Sequence, residues 1–266
     1  MIDKTALGYL RYLSQGFFYF FLLNLSDPCE ARQTDSFTIP ETSKQLIVVI
    51  PDHWKSTYGF LQRWERKDDG VWKQITLDNQ DKRFMVRLAN RGLAWGIGLN
   101  PLPSEEGRKK EGDVKAPAGV FEIGDAYGYA KEIQKNDSLK YHQVTESDLW
   151  VEDSESPYYN QHLTLEGRGP ETEWERKQQM RMNDSVHSLK LFIKHNPAPY
   201  AIPGAGSAIF FHIWRDEGGK NTYGCTTMSE KNLKKLIAWV DPTKNPLYVL
   251  LPREAYRKYQ NKWKLP

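Results

Sequence analysis

Cysteine is nearly missing from this sequence of 266 residues, which carries only Cys29 and Cys225. So few thiols exclude the disulfide framework that staples many small secreted folds. The six histidines show no H-E-x-x-H or comparable ligand spacing, so no metal is expected, and nothing calls for an organic cofactor. Charge of one sign is not concentrated either. The 37 Lys and Arg are interleaved with 34 Asp and Glu for a net +3, which argues against a nucleic-acid footprint. Internal repeats, low-complexity segments and an appended binding module are also lacking.

Long apolar runs are scarce. Gly16 to Leu25 (GFFYFFLLNL) is too short to span a bilayer comfortably, but with Lys4 and Arg11 before it the stretch reads as the apolar part of an export signal. Small residues at Cys29 and Ala31 predict cleavage after Ala31, giving residues 1–31 as signal peptide and 32–44 as a linker. The mature chain is then exported, to the periplasm or the cell wall, with no membrane span retained; an uncleaved anchor is the alternative. Cleavage removes Cys29, and a lone Cys225 in an oxidising compartment points to chemistry more than to packing. Nine Trp and fourteen Tyr suit either a core or the walls of a sugar or peptide groove.

The periodicity predicts one α+β domain, mostly antiparallel sheet, over 45–252, with a C-terminal tail over 253–266. Gln45 to Ile50 reads as a buried strand, and Tyr58 to Arg66 with Val71 to Ile75 as a hairpin turning at Asp69 and Gly70. Further strands are expected at Arg83 to Leu88, Gly119 to Ile123, Leu189 to Ile193, Ala208 to Trp214 and Leu247 to Leu251. Residues 125–187 show little regular period and read as a groove insertion bearing Trp150, Tyr158, Tyr159 and Trp174, with a helix around Thr172 to Met182. Met228 to Val240 is the clearest helix, with Thr227 and Glu230 as a T-x-x-E capping box and Asp241-Pro242 as its stop.

Cys225 then falls two residues before the expected N-cap, in the turn Thr222, Tyr223, Gly224, Cys225. Near a helix start the backbone N–H groups favour a thiolate, and Gly224 permits a tight turn facing an oxyanion. His212 stands near the end of a strand with largely apolar faces. Alone it reads as a core imidazole, but strand, loop and turn return Cys225 to that strand end and make a Cys-His pair. An Nδ1–H donated to a backbone carbonyl is a sufficient way to orient the ring; His195 is another candidate orienter that reads better as structural.

The blocks GSAIFFHIW, TYGCTTM and WVDPTKNPLYVLLP, preceded by KAPAGVF, GDAYGYA, DLWVEDSESPYYN and HNP, resemble the L,D-transpeptidase (YkuD-type) family, in its proteobacterial and actinobacterial branch. The resemblance implies a β-sandwich-like catalytic domain with His212 as base, its ring oriented by the Ile213 carbonyl, Cys225 as nucleophile, and Gly224 and Thr222 as the rest of the nucleophile motif. It implies peptidoglycan stem peptides as substrate, a thioester intermediate and transfer to an acceptor amine. Tyr223, Arg215 and Trp214 are carried as candidate substrate contacts beside Thr222. Classical members often place His where Tyr223 stands, and Arg or Asn where Thr227 stands, which leaves open transfer against hydrolysis by an L,D-carboxypeptidase or amidase. An inactive wall-binding module is the non-enzymatic alternative.

Overall fold

The computed structural model describes residues 37–76, 82–103 and 107–266. The expected export segment, Cys29 and the expected cleavage position after Ala31 lie outside them. Among the described residues, no helix is long and apolar enough to cross a membrane.

The strands are β1 (Gln45–Val49), β2 (Tyr58–Arg66), β3 (Trp72–Ile75), β4 (Arg83–Arg87), β5 (Leu93–Trp95), β6 (Ala116–Gly128), β7 (Tyr141–Gln143), β8 (Asp148–Trp150), β9 (His162–Thr164), β10 (Leu189–Ile193), β11 (Phe210–Ile213), β12 (Thr226–Met228) and β13 (Leu247–Leu250). The helices are α1 (Glu173–Gln178), α2 (Glu230–Trp239) and α3 (Arg253–Tyr259). The main sheet runs β1-β13-β6-β10-β11-β12-β4-β2, and β2 pairs back onto β1. The sheet therefore closes on itself, where the resemblance implied a sandwich-like assembly. The mostly antiparallel class holds, with parallel pairing at β1–β13 and β11–β12 within the ring.

Closure explains the unbroken apolar run of β1. Ile47 and Val49 face a core shared with Phe211, Tyr248 and the α2 residues Leu233, Leu236 and Ile237. Leu46 and Val48 face the other way, against Leu247, Val249, Ala255, Tyr256, Trp263 and Leu265. A strand covered on both faces has no polar side to alternate with. Burying each such side chain contributes about 1.5–3 kcal/mol. The last fourteen residues are accordingly not a free tail, since α3 and the buried Trp263 and Leu265 cover this second face.

Two elements begin elsewhere than the sequence predicts. Strand β6 runs through Pro117, Gly119 and Gly124, residues that locally punctuate strands, because β10 and β13 pair along it. Helix α2 starts later than expected. Thr226–Met228 extend as β12 beside β11, so Ser229 becomes the N-cap and accepts the Asn232 N–H, and the Thr227/Glu230 box does not form. A capping box does form at α1, between Thr172 and Glu175, although that helix ends at Gln178.

Candidate active site

Side chains alternate along β11, so Phe211 and Ile213 enter the main core while Phe210 and His212 share the opposite face. β12 lies parallel to it in the register Phe211↔Thr226 and His212↔Thr227. Cys225, one residue before β12, thereby comes alongside Phe210 on the face that carries His212. Residues so placed, one strand and two positions apart, have Cα atoms about 8 Å apart. The Phe210 N–H donates to Sγ at 3.4 Å, and the thiol donates to the Ala208 carbonyl at 3.4 Å. His212 Nδ1 lies 2.8 Å from the Ile213 carbonyl, the orienting partner the sequence suggests. An Nδ1–H donated there leaves Nε2 with its lone pair. Cys225 and His212 line one cavity of about 650 Å³.

Burial governs the charge state of this pair. It pulls His212 down to about 3, assisted by neighbouring His187, and pushes the Cys225 thiol up to about 11, against the Phe210 N–H. The resting site thus holds a thiol and a neutral imidazole, not a thiolate–imidazolium pair. His187 stacks on His212, ring centroids 5.0 Å apart, and its Nδ1 is 2.9 Å from Asp184.

The turn before Cys225 is held by Thr222, whose hydroxyl donates to the Cys225 carbonyl at 2.6 Å and accepts the Gly224 N–H at 3.3 Å. That N–H therefore braces the turn and does not face an oxyanion. A Cβ at Gly224 would lie 2.8 Å from Ile209 Cδ1, so a larger residue there would require the tip of that side chain to move. Cys225 stands four residues before the Ser229 N-cap, so the expected support from the α2 dipole is absent, the effect fading beyond the first turn. Tyr223 is exposed at the cavity mouth, and Arg215, also there, is paired with Asp184 at 3.1 Å. Trp214 does not line the cavity; a Cβ on Gly218 would meet its ring, in the short 3-10 turn that follows.

The insertion supplies part of the cavity wall, through Trp150, Glu152, Gln178, Met180 and His187. Of its aromatics only Trp150, itself largely buried, borders the cavity; Tyr159 is buried away from it, and Tyr158 is exposed outside it. The Trp150 indole donates to Asn160 Oδ1 at 2.9 Å, and Tyr159 donates to Glu111 at 2.5 Å. Trp174 donates to Asp153. His195 is fully buried, taking the Ile97 N–H on Nδ1 and facing the Ala205 carbonyl with Nε2. It is a structural imidazole, not the orienter of His212. Lys190 and Glu152, which also line the cavity, were missed by sequence reasoning. Lys190 left one signal, a cation inside the otherwise apolar strand LKLFI. Among the described residues, no cluster of three or more His, Cys, Asp or Glu is arranged to hold a metal ion.

Residues 73–249 match the family described as YkuD, L,D-transpeptidase catalytic domain. No curated protein matches the chain. A similar solved structure is "Structure of Bdellovibrio bacteriovorus Bd1075", with 12% identity, a TM-score of 0.39 and coverage of 86% of this chain. The chain spans 58% of the length of that one.

Proposed function

The chain belongs to the L,D-transpeptidase (YkuD) catalytic-domain family, and from that premise we propose that it is an exported peptidoglycan L,D-transpeptidase using Cys225 as nucleophile and His212 as base. The observation that carries this reading is the shared face of β11 and β12. It brings Cys225 and a fixed, neutral His212 to one cavity. A neutral Nε2 is ready to take the thiol proton as sulfur attacks a donor carbonyl at an L-centre. Because the resting thiol is protonated, transfer and attack proceed together, and the Phe210 N–H stabilises the sulfur as negative charge develops. His212 then returns the proton to the departing D-amino acid, leaving a thioester that an acceptor amine resolves.

Of the insertion's aromatics only Trp150 borders the cavity, and Tyr158, Tyr159 and Trp174 lie outside its wall, which leaves little aromatic surface on which an acceptor stem would lie. This favours, as a second reading, a hydrolase in which water resolves the same thioester. Both readings share acylation. Incubation with disaccharide-tetrapeptide followed by rapid acid quench and mass spectrometry should show the acyl adduct on Cys225. A chain that never acquires it, at any substrate concentration, is not an enzyme of this mechanism, and a wall-binding role takes its place.

A further inference from the structure

The cavity wall carries several cations, and all but one have a carboxylate. Lys109 pairs with Asp113 at 2.5 Å, Arg215 with Asp184 at 3.1 Å and Lys220 with Asp216 at 3.0 Å. Lys190 has no carboxylate within ion-pair distance among the described residues; Glu152, on the same wall and itself pushed up to about 7 by burial, and Asp184 and Asp148 act on it only from farther off. The Lys190 Nζ donates to the Met180 carbonyl at 3.2 Å and rests 5.5 Å from the centre of the Phe210 ring, in a side chain with only 5% exposure. A buried ammonium with unused protons is costly unless an anion completes it.

The position of that ammonium is informative. Lys190 lies directly opposite His212 in the β10–β11 register, and His212 is opposite Thr227 in turn. Phe210 joins the two functions, since its N–H meets Cys225 Sγ and its ring underlies Lys190 Nζ. In a peptide cleaved one residue before its end, the terminal carboxylate carbon is three bonds from the scissile carbonyl, about 3–4 Å away. A cation beside the nucleophile can therefore reach that carboxylate while sulfur reaches the carbonyl.

We infer that Lys190 is a specificity-determining residue that receives the free terminal carboxylate of the donor, restricting the site to bonds one residue from a C-terminus. The inference rests on the acyl-transfer reading of Cys225 and names the donor class that site accepts. Thr227, buried opposite His212 on the β12 side, carries no charge, and Lys190 supplies a cation from the β10 side of the same histidine. Burial brings Lys190 down to about 8, so the ammonium persists at neutral pH and is lost in mildly alkaline solution.

The test measures binding separately from turnover. Titration calorimetry on Cys225→Ser compares disaccharide-tetrapeptide with its C-terminal carboxamide. The free acid should bind at least tenfold tighter, and adding Lys190→Met should bring both ligands to the affinity of the carboxamide. Equal affinity of Cys225→Ser for the two ligands, or no binding of either, overturns the inference without depending on how Lys190→Met folds. Retention of the acid preference in a folded Lys190→Met protein also overturns it. So does a tenfold loss of Cys225 alkylation in Lys190→Met with the preference unchanged, which would assign the cation to the thiol. Acylation of the wild-type chain by acid and carboxamide alike removes the anchor and keeps the enzyme. Selective binding with no acylation keeps the anchor and removes the enzyme.

Discussion

Asn160 accepts the Ala208 backbone N–H at 3.0 Å, and the Ala208 carbonyl in turn receives the Cys225 thiol. The insertion thereby sets the position of the nucleophile from behind. Asn160 also donates to the carbonyls of His195 and Asn196, and its own φ of 57° lies in the left-handed region that Asn tolerates and Ala resists. Asn160→Ala should cost about 3 kcal/mol, through unpaired buried groups, in denaturant unfolding. In the protein that remains folded, kcat should fall at least tenfold with KM little changed. An equal loss in both would show that Asn160 shapes the donor groove itself.

Cys225 and His212 act as one unit. Cys225→Ser and His212→Ala should each abolish turnover, and the double variant should be hardly worse than either. Resting alkylation by iodoacetamide should behave differently. With the thiol pushed up to about 11, the reaction should be slow at pH 7 and rise about tenfold per pH unit through pH 9. His212→Ala should barely change that profile, because the neutral ring holds no charge to stabilise a thiolate. A fast plateau near neutrality that His212→Ala removes would instead reveal a resting ion pair.

How much of this the sequence carried depended on range. Alternation along β11 and the Gly-containing turn are local patterns, so the Cys-His pair was legible from the residues, whereas the Ile213 carbonyl came only with the family resemblance. Leu189–Ile193 emerges with the bounds its apolar run predicts. Closure of the sheet was not legible, because it rests on β1 pairing with β13, some two hundred residues away. The start of α2 was misplaced for a related reason: the T-x-x-E pattern at Thr227 is local, and the pairing of β12 with β11 draws Thr226–Met228 into a strand and leaves the cap to Ser229. Lys190 was concealed because strand apolarity describes four of its five residues and says nothing of which cavity the fifth one borders.

Gly224 makes a sharper test of packing. Its Cβ would lie 2.8 Å from Ile209 Cδ1, with no left-handed φ to add strain, so the cost is set by how far Ile209 or the turn must move. Gly224→Ala should lower kcat about tenfold or more by displacing Cys225. Removing the offending methyl with Ile209→Val costs only about 1 kcal/mol by itself and should restore much of that activity. If the double variant stays as slow as Gly224→Ala, the glycine serves something other than close approach.

His195 bears on acid stability. Burial pulls it down to about 4 from an ordinary 6.5, so the unfolded chain takes up a proton where the folded one does not. Stability from this group is full above the unfolded value and is lost as pH falls through the window from about 6.5 to 4, about 2 kcal/mol by pH 5. His212, lowered to about 3, adds a loss of the same sign. Unfolding midpoints in urea should therefore drop between pH 7 and pH 5. His195→Ala should be less stable at pH 7, since it leaves the Ile97 N–H and Ala205 carbonyl unpaired, and should show a shallower pH dependence. An unchanged slope would mean that His195 is not the titrating group.

The fate of the thioester separates the two enzymatic readings. Acylation is common to both, so the outcome depends on whether an amine held near the acyl carbon competes with water for it. Exposed Tyr223 at the cavity mouth and Trp150 in its wall remain available to an acceptor, while Tyr158 and Tyr159 lie outside the cavity. We expect transfer to exceed hydrolysis when acceptor is plentiful. Purified protein given disaccharide-tetrapeptide and a labelled D-amino acid should form exchanged tetrapeptide in a yield that rises with acceptor concentration, and Tyr223→Ala should lower that yield more than it lowers donor consumption. Tripeptide accumulating in the same proportion at every acceptor concentration would assign the chain to hydrolysis for those acceptors, with Cys225 still the nucleophile and His212 still the base.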